Sequence, residues 1–194
     1  AVLEYQNKSD AAIARYTPLL ERAADSSYLR GRVGSLHLLA GRYREAIREL
    51  QQVQALDPAD TGTLLPLAQA YEGAGETAAA IQACERLIRK EPANLEARFQ
   101  RARLRQKEGE TQTALKEYQE IIVLAGGRGA VTDREASILA LAHSQIGILQ
   151  MEARQYGAAS ESFVQALNSA GEPGPELFLL LGRAQLLGGR PDEA

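Results

Sequence analysis

Apolar residues recur at intervals of three and four along most of the chain, as in Ala80, Cys84, Leu87 and Ile88, with charged and amide side chains between them. That spacing is helical and gathers small and large apolar residues into one stripe. The stripes themselves repeat. The segments "GRYREAIRELQQVQALDP" from Gly41, "GETAAAIQACERLIRKEP" from Gly75 and "GETQTALKEYQEIIVLAG" from Gly109 begin 34 residues apart. Ala12, Ala46, Ala80 and Ala114 keep the same interval, as do Tyr16, Leu50, Cys84 and Tyr118. A fixed period of this length marks stacked supersecondary units. Each unit reads as two helices, with the glycine at the turn between them, where a left-handed residue closes the first. Pro58 and Pro92 end the second helix of their units, because proline cannot donate inside a continuing helix.

Between Leu124 and Ala140 the phase slips by 11 residues, since Ala159 and Phe163 arrive that much later than the period requires. The slip contains "AGGRGAVTDREASIL", in which Thr132 and Glu135 have the spacing of a capping box. This predicts a helix from Asp133 to Ala153, about two turns longer than its counterparts and projecting by roughly 10 Å. The opening "AVLEYQNKSD" reads as the middle of a helix, and "GRPDEA" from Gly189 to Ala194 begins a second helix and stops at its packing alanine. Stacked repeats need polar caps on their end faces, so the expectation is a piece of a longer protein.

Leu64, Leu67, Ala68, Tyr71, Gly75, Ala80 and Pro92 follow the pattern apolar-x-x-apolar-Gly/Ala-x-x-Tyr, then Gly, Ala and Pro. In this the sequence resembles the tetratricopeptide-repeat family. The resemblance implies an all-α, right-handed superhelical solenoid of antiparallel helix pairs, running through 1–194 as a single array. Its divisions would be a partial repeat 1–26, repeats 27–60, 61–94 and 95–128, an insertion with the extended helix start at 125–139, a repeat 140–174 and a partial repeat 175–194.

Composition agrees with close-packed helices: the apolar fraction of 45% is largely Ala and Leu, aromatics are 5%, and Trp is absent. Charged residues of both signs are interspersed and the net charge is only −3, which argues against a nucleic-acid binder. Lone Cys84 excludes an intramolecular disulfide framework and is expected to be a buried thiol. The run "LFLLL" at Leu177 to Leu181 is far short of the ~20 residues of a bilayer span. The expected protein is therefore soluble, with its compartment, cytoplasmic or periplasmic, left open by the sequence, and its high Ala, Arg and Gly suggest a bacterial source. Candidate chemistry is thin. "GGRG" at Gly126 to Gly129 follows no strand and has no Lys-Ser/Thr pair after it, so it reads as a linker rather than a phosphate cradle. His37 and His143 have no second ligand at helical spacing. Glu45 and Glu49 sit beside arginines, as on a solvated helix surface. The expectation is a protein without enzymatic activity, metal or cofactor.

The resemblance further implies an extended peptide or partner helix held in a concave groove lined by the first helix of each unit. By carry-over the lining is Tyr28, Ser35, Leu38 and Leu39, then Leu65, Gln69 and Glu72, then Glu96, Phe99, Arg103, Gln106 and Lys107. Leu141, Ser144, Ile148 and Met151 follow, then Leu179, Arg183, Leu186 and Leu187. The favoured binding residues are Leu65, Gln69, Phe99, Arg103, Lys107, Ile148 and Met151. The slot where chaperone-binding members carry a carboxylate-gripping Lys holds Gly31, Leu65, Phe99, Ser144 or Leu179, so that class is rejected. The offset at which RNA-binding arrays read bases holds Ser35, Gln69, Arg103, Ile148 and Arg183, which is no code.

Within "RFQRARLRQK", Arg98 to Lys107, helical geometry divides the charges. Arg103 and Lys107 share a side with Glu96 and Phe99 and would face the groove, where they suit an acidic side chain or a C-terminus. Arg98, Arg101 and Arg105 occupy slots where the family packs large apolar residues, opposite Tyr118 and Ile121. Three dry, unpaired guanidiniums would cost too much, so their heads are expected to reach solvent or pair with Glu108, Glu117 or Glu120. The function expected is an interaction scaffold within a larger protein, whose partner carries acidic and apolar groups. The alternatives are homo-oligomeric self-association through end faces and the extended helix near Asp133, or a substrate-recruiting arm of an enzyme whose catalytic domain lies elsewhere.

Overall fold

Ten helices and no strand make up the described residues, 2–127 and 132–189, of the computed structural model. They fall into two compact units, Ala1–Pro92 and Ala93–Ala194. The first unit holds α1 (Val2–Arg22), α2 (Ser27–Leu39), α3 (Tyr43–Leu56), α4 (Leu64–Gly73) and α5 (Thr77–Lys90). The second holds α6 (Leu95–Lys107), α7 (Thr111–Gly126), α8 (Asp133–Glu152), α9 (Tyr156–Ser169) and α10 (Pro175–Leu187). In each unit consecutive helices pack on one another, α2 on α3 and α4 on α5, α6 on α7 and α8 on α9. No helix among the described residues is long and apolar enough to cross a membrane.

Four turns within pairs share one geometry. Gly41, Gly75 and Gly109 have φ of 72°, 80° and 83°, the left-handed region the sequence assigned to them. The next amide donates back five residues: Arg42 to His37 at 2.9 Å, Glu76 to Tyr71 at 2.8 Å and Glu110 to Arg105 at 2.9 Å. This closes each first helix as a Schellman cap. The fourth turn, between α8 and α9, makes the same bond, Gln155 to Gln150 at 2.8 Å, but its left-handed residue is Arg154 with φ 59°.

Packing inside the pairs follows the alanine ladder. Ala46, Ala80, Ala114 and Ala159 are fully buried, and so are Leu50, Cys84, Tyr118 and Phe163 four residues later. The first helix of each pair buries a small residue at a repeating position, Gly34, Ala68, Ala102 or Gly147. A Cβ on Gly147 would come 2.6 Å from Phe163 Cε1, and one on Gly34 2.8 Å from Leu50 Cγ. A larger residue there would push the helices apart.

The phase slip appears as a lengthened first helix. α8 has 20 residues against 13 in α6, and Thr132 caps it with the complete capping box to Glu135. It ends one residue before the expected Ala153. Arg134, in its first turn, forms an ion pair with Glu96 on α6. Of the glycine-rich stretch, Gly126 closes α7 and Gly127 caps it, while 128–131 lie outside the described residues. So do 190–194, on which most of the "GRPDEA" expectation falls.

Replacing Arg154 with glycine relieves a left-handed side chain, at some cost in unfolded-chain entropy, and should stabilise the chain by about 0.5–1 kcal/mol. Gly75→Ala should destabilise it by about 1 kcal/mol. Denaturant midpoints moving in these opposite directions check the turn geometry.

Candidate functional site

On α6, Leu95, Ala97, Gln100, Ala102 and Leu104 are buried, which turns the five cations outward in two directions. Arg98, Arg101 and Arg105 lie against α7. Arg101 Nε donates to Glu117 Oε2 at 3.0 Å, and Arg105 Nε lies 3.2 Å from Glu117 Oε1. Arg105 also donates through Nη1 to Glu110 at 2.9 Å, and Arg98 Nη1 is 3.7 Å from Glu120. The arginine side chains keep 16–23% of their surface exposed, so their stems cover the α6–α7 seam while the heads reach carboxylates. Glu117 and Glu120 were among the expected partners. Glu110 was not, because it sits past the turn and only the Schellman cap brings it back over α6.

Arg103 and Lys107 occupy the other side of α6. Lys107 is exposed in its last turn, and Arg103 is half-buried, with Nη2 donating to Gln100 Oε1 at 3.2 Å. Phe99 is half-buried. Its ring tilts at 49° against Tyr118 with centroids 5.6 Å apart, at the edge of the α6–α7–α8 core. Burial raises the Tyr118 pKa, so its hydroxyl stays protonated and donates to Gln106 Oε1 at 2.9 Å.

Ile148 and Met151 both pack on the cluster around Phe163. Ile148 also lines a cleft of about 500 Å³ between α8 and α10, with Leu141, Leu177 and Leu180. Its far wall is the connection 170–174, with Glu172, and the first turn of α10, with Glu176. The sequence placed Leu141, Ser144 and Ile148 on this face but missed the wall. Its signal was the "AGEPGP" run, a stiff connection too short to fold away from the helices it joins.

In the first unit Leu65 is half-buried and Gln69 exposed on α4. Tyr28 and Ser35 line a smaller cleft of about 340 Å³ with Gly31 and Thr63. Leu38 packs on the core of α3 and α4, whereas Leu39 is 65% exposed. In the second unit Leu186 and Leu187 are also exposed, at 59% and 49%. Cys84 is a buried free cysteine, and no group of three potential metal ligands occurs among the described residues.

Antiparallel helix pairs closed by left-handed turns define this chain as a helical-repeat protein. Two models of the tetratricopeptide repeat match it, one over residues 37–87 and the other over 2–61, 65–129 and 145–194. The chain belongs to the tetratricopeptide-repeat family. It is 28% identical over 173 residues to the TPR repeat-containing protein YpiA of Bacillus subtilis, a match that takes in 87% of this chain and 40% of YpiA. The chain thus spans well under half the length of that relative. Among solved structures it resembles MamA, with a TM-score of 0.71 at 21% identity over 84% of this chain and 89% of MamA. It also resembles YrrB, described as a TPR protein with an unusual peptide-binding site, with a TM-score of 0.67 at 18% identity over 91% of this chain and 84% of YrrB. The C-terminal part of a TPR protein from Cytophaga hutchinsonii gives a TM-score of 0.71 at 18% identity, over 90% of this chain and 67% of that one.

Glu117→Gln would leave Arg101 and Arg105 facing a neutral amide, and partial exposure tempers the cost to about 1–3 kcal/mol in chemical denaturation. His37 and His143 give a second test. Burial holds both below the ordinary 6.5, with Arg42 adding to the effect at His37. The unfolded chain therefore takes up these protons first as pH falls, and stability should drop from about pH 6.5 downward. A His37→Gln/His143→Gln double variant should flatten that slope between pH 7.5 and 5.5.

Proposed function

We propose that the chain is an interaction scaffold that holds a partner peptide or helix on the faces presented by its first helices. The observation that carries this is the α8–α10 cleft. It exposes aliphatic side chains that neighbouring helices leave uncovered, on the same side of the fold that family membership assigns to ligands. Leu65 and Gln69 are the contact residues proposed for the first unit, and Phe99, Arg103, Lys107, Ile148 and Met151 for the second. Arg103 and Lys107 stand one turn apart on α6 and would meet an acidic side chain or a C-terminal carboxylate. Phe99 would act mainly by holding that turn in place through its contact with Tyr118.

The test is affinity capture with the intact chain, wild type against an Arg103→Glu/Lys107→Glu double variant. A direct partner captured by the wild type should bind the double variant at least tenfold more weakly, a loss of about 1.4 kcal/mol. Equal capture by both would discredit the α6 face as a binding surface.

A further inference from the structure

We infer that the α8–α10 cleft takes a partner segment of the opposite charge to the one suited to α6: an aliphatic side chain flanked by lysine or arginine. The inference rests on the scaffold function proposed above and names the partner chemistry for one of its clefts. Leu141, Ile148, Leu177 and Leu180 supply its apolar lining, and Glu172 and Glu176 its two charged groups. No lysine, arginine or histidine lines it. Both carboxylates belong to exposed residues, and neither is in an ion pair among the described residues. Arg134 lies one turn before the cleft on α8, but it is engaged by Glu96 on α6.

These features select an occupant. A volume of about 500 Å³ is at the modest end for a ligand site and admits one or two aliphatic side chains rather than a folded surface. An acidic neighbour of that anchor would meet two like charges. A lysine or arginine would lay its stem along the apolar lining and place its head against Glu172 or Glu176. With Arg103 and Lys107 on α6 and the acids beside α10, the second unit offers cationic and anionic positions on separate first helices. A partner with an acidic end and a basic-aliphatic end would therefore bind in one direction only.

The test selects twelve-residue peptides from a random display library on the intact chain and measures them by fluorescence polarisation. Variants are Leu141→Lys, Glu172→Lys/Glu176→Lys and Arg103→Glu/Lys107→Glu, each checked for native helix content by circular dichroism. All the substituted positions are on the surface or partly exposed. Peptides enriched in Leu or Ile next to Lys or Arg, weakened about tenfold by the Glu172/Glu176 variant and by Leu141→Lys, and weakened further by raised salt, are the expected result. Acidic peptides that Leu141→Lys weakens, or a selection in which every peptide is weakened only by the Arg103/Lys107 variant, would overturn the inference while leaving the scaffold function intact. Peptides indifferent to all three variants would overturn the inference together with the second-unit contacts of the proposed scaffold.

Discussion

In four helix pairs the second helix buries Leu50, Cys84, Tyr118 or Phe163 and the first buries a glycine or alanine at a repeating position, in direct approach at Gly34–Leu50 and Gly147–Phe163. This match of large against small sets how closely the two axes approach. Where the approach is tightest even a methyl is refused, as at Gly147 against Phe163 and Gly34 against Leu50. Close approach in turn demands a sharp reversal between the helices, which the left-handed residue and its six-to-one bond supply. Everything on the remaining faces, including the clefts, inherits its placement from these pair distances.

The α6–α7 pair adds charge to this match. Arg101 stands in a slot that carries Val33, Leu67 or Ile146 in the other pairs, so area burial is replaced in part by charge pairing around Glu117. Its carboxylate, whose side chain is only 10% exposed, faces Arg101 on one oxygen and Arg105 on the other. A seam of this kind is directional where a hydrophobic one is not. With Arg98, Arg101 and Arg105 turned to α7, helical geometry puts Arg103 and Lys107 on the opposite side of α6. The first unit contains a polar tie as well: Gln54 donates to Thr63 at 2.9 Å and accepts from Arg86 at 2.6 Å, linking α3, the start of α4 and α5.

In the proposed binding mode the two units need not do the same work. The first presents a polar and lightly apolar surface at Leu65 and Gln69. The second carries the charged positions and the α8–α10 cleft, next to the lengthened α8. The extra turns of α8 bring Arg134 to Glu96, so the insertion sets one positive charge beside one negative charge in an exposed ion pair.

Much of the architecture was legible in the residues alone, because period, turn glycines and the alanine ladder are local rules written once per unit. The helix beginning at Asp133 was readable for the same reason: Thr132 and Glu135 are three residues apart and need no distant partner. Splitting the arginine run into two faces followed from helical geometry. The specific carboxylates that receive Arg98, Arg101 and Arg105 did not, since they depend on how α7 folds back. Phe99 was read as a groove aromatic, but its ring also meets Tyr118, from the next helix. The acidic wall of the α8–α10 cleft could not be read either, for Glu172 and Glu176 come from a connection and a helix start more than 30 residues beyond Leu141, which lines the same cleft. The sequence by itself determined the elements and their pairing, which rest on contacts within one unit. Only the tertiary structure decided which charges meet and where a cleft opens, because those depend on distances between helices that no local pattern encodes.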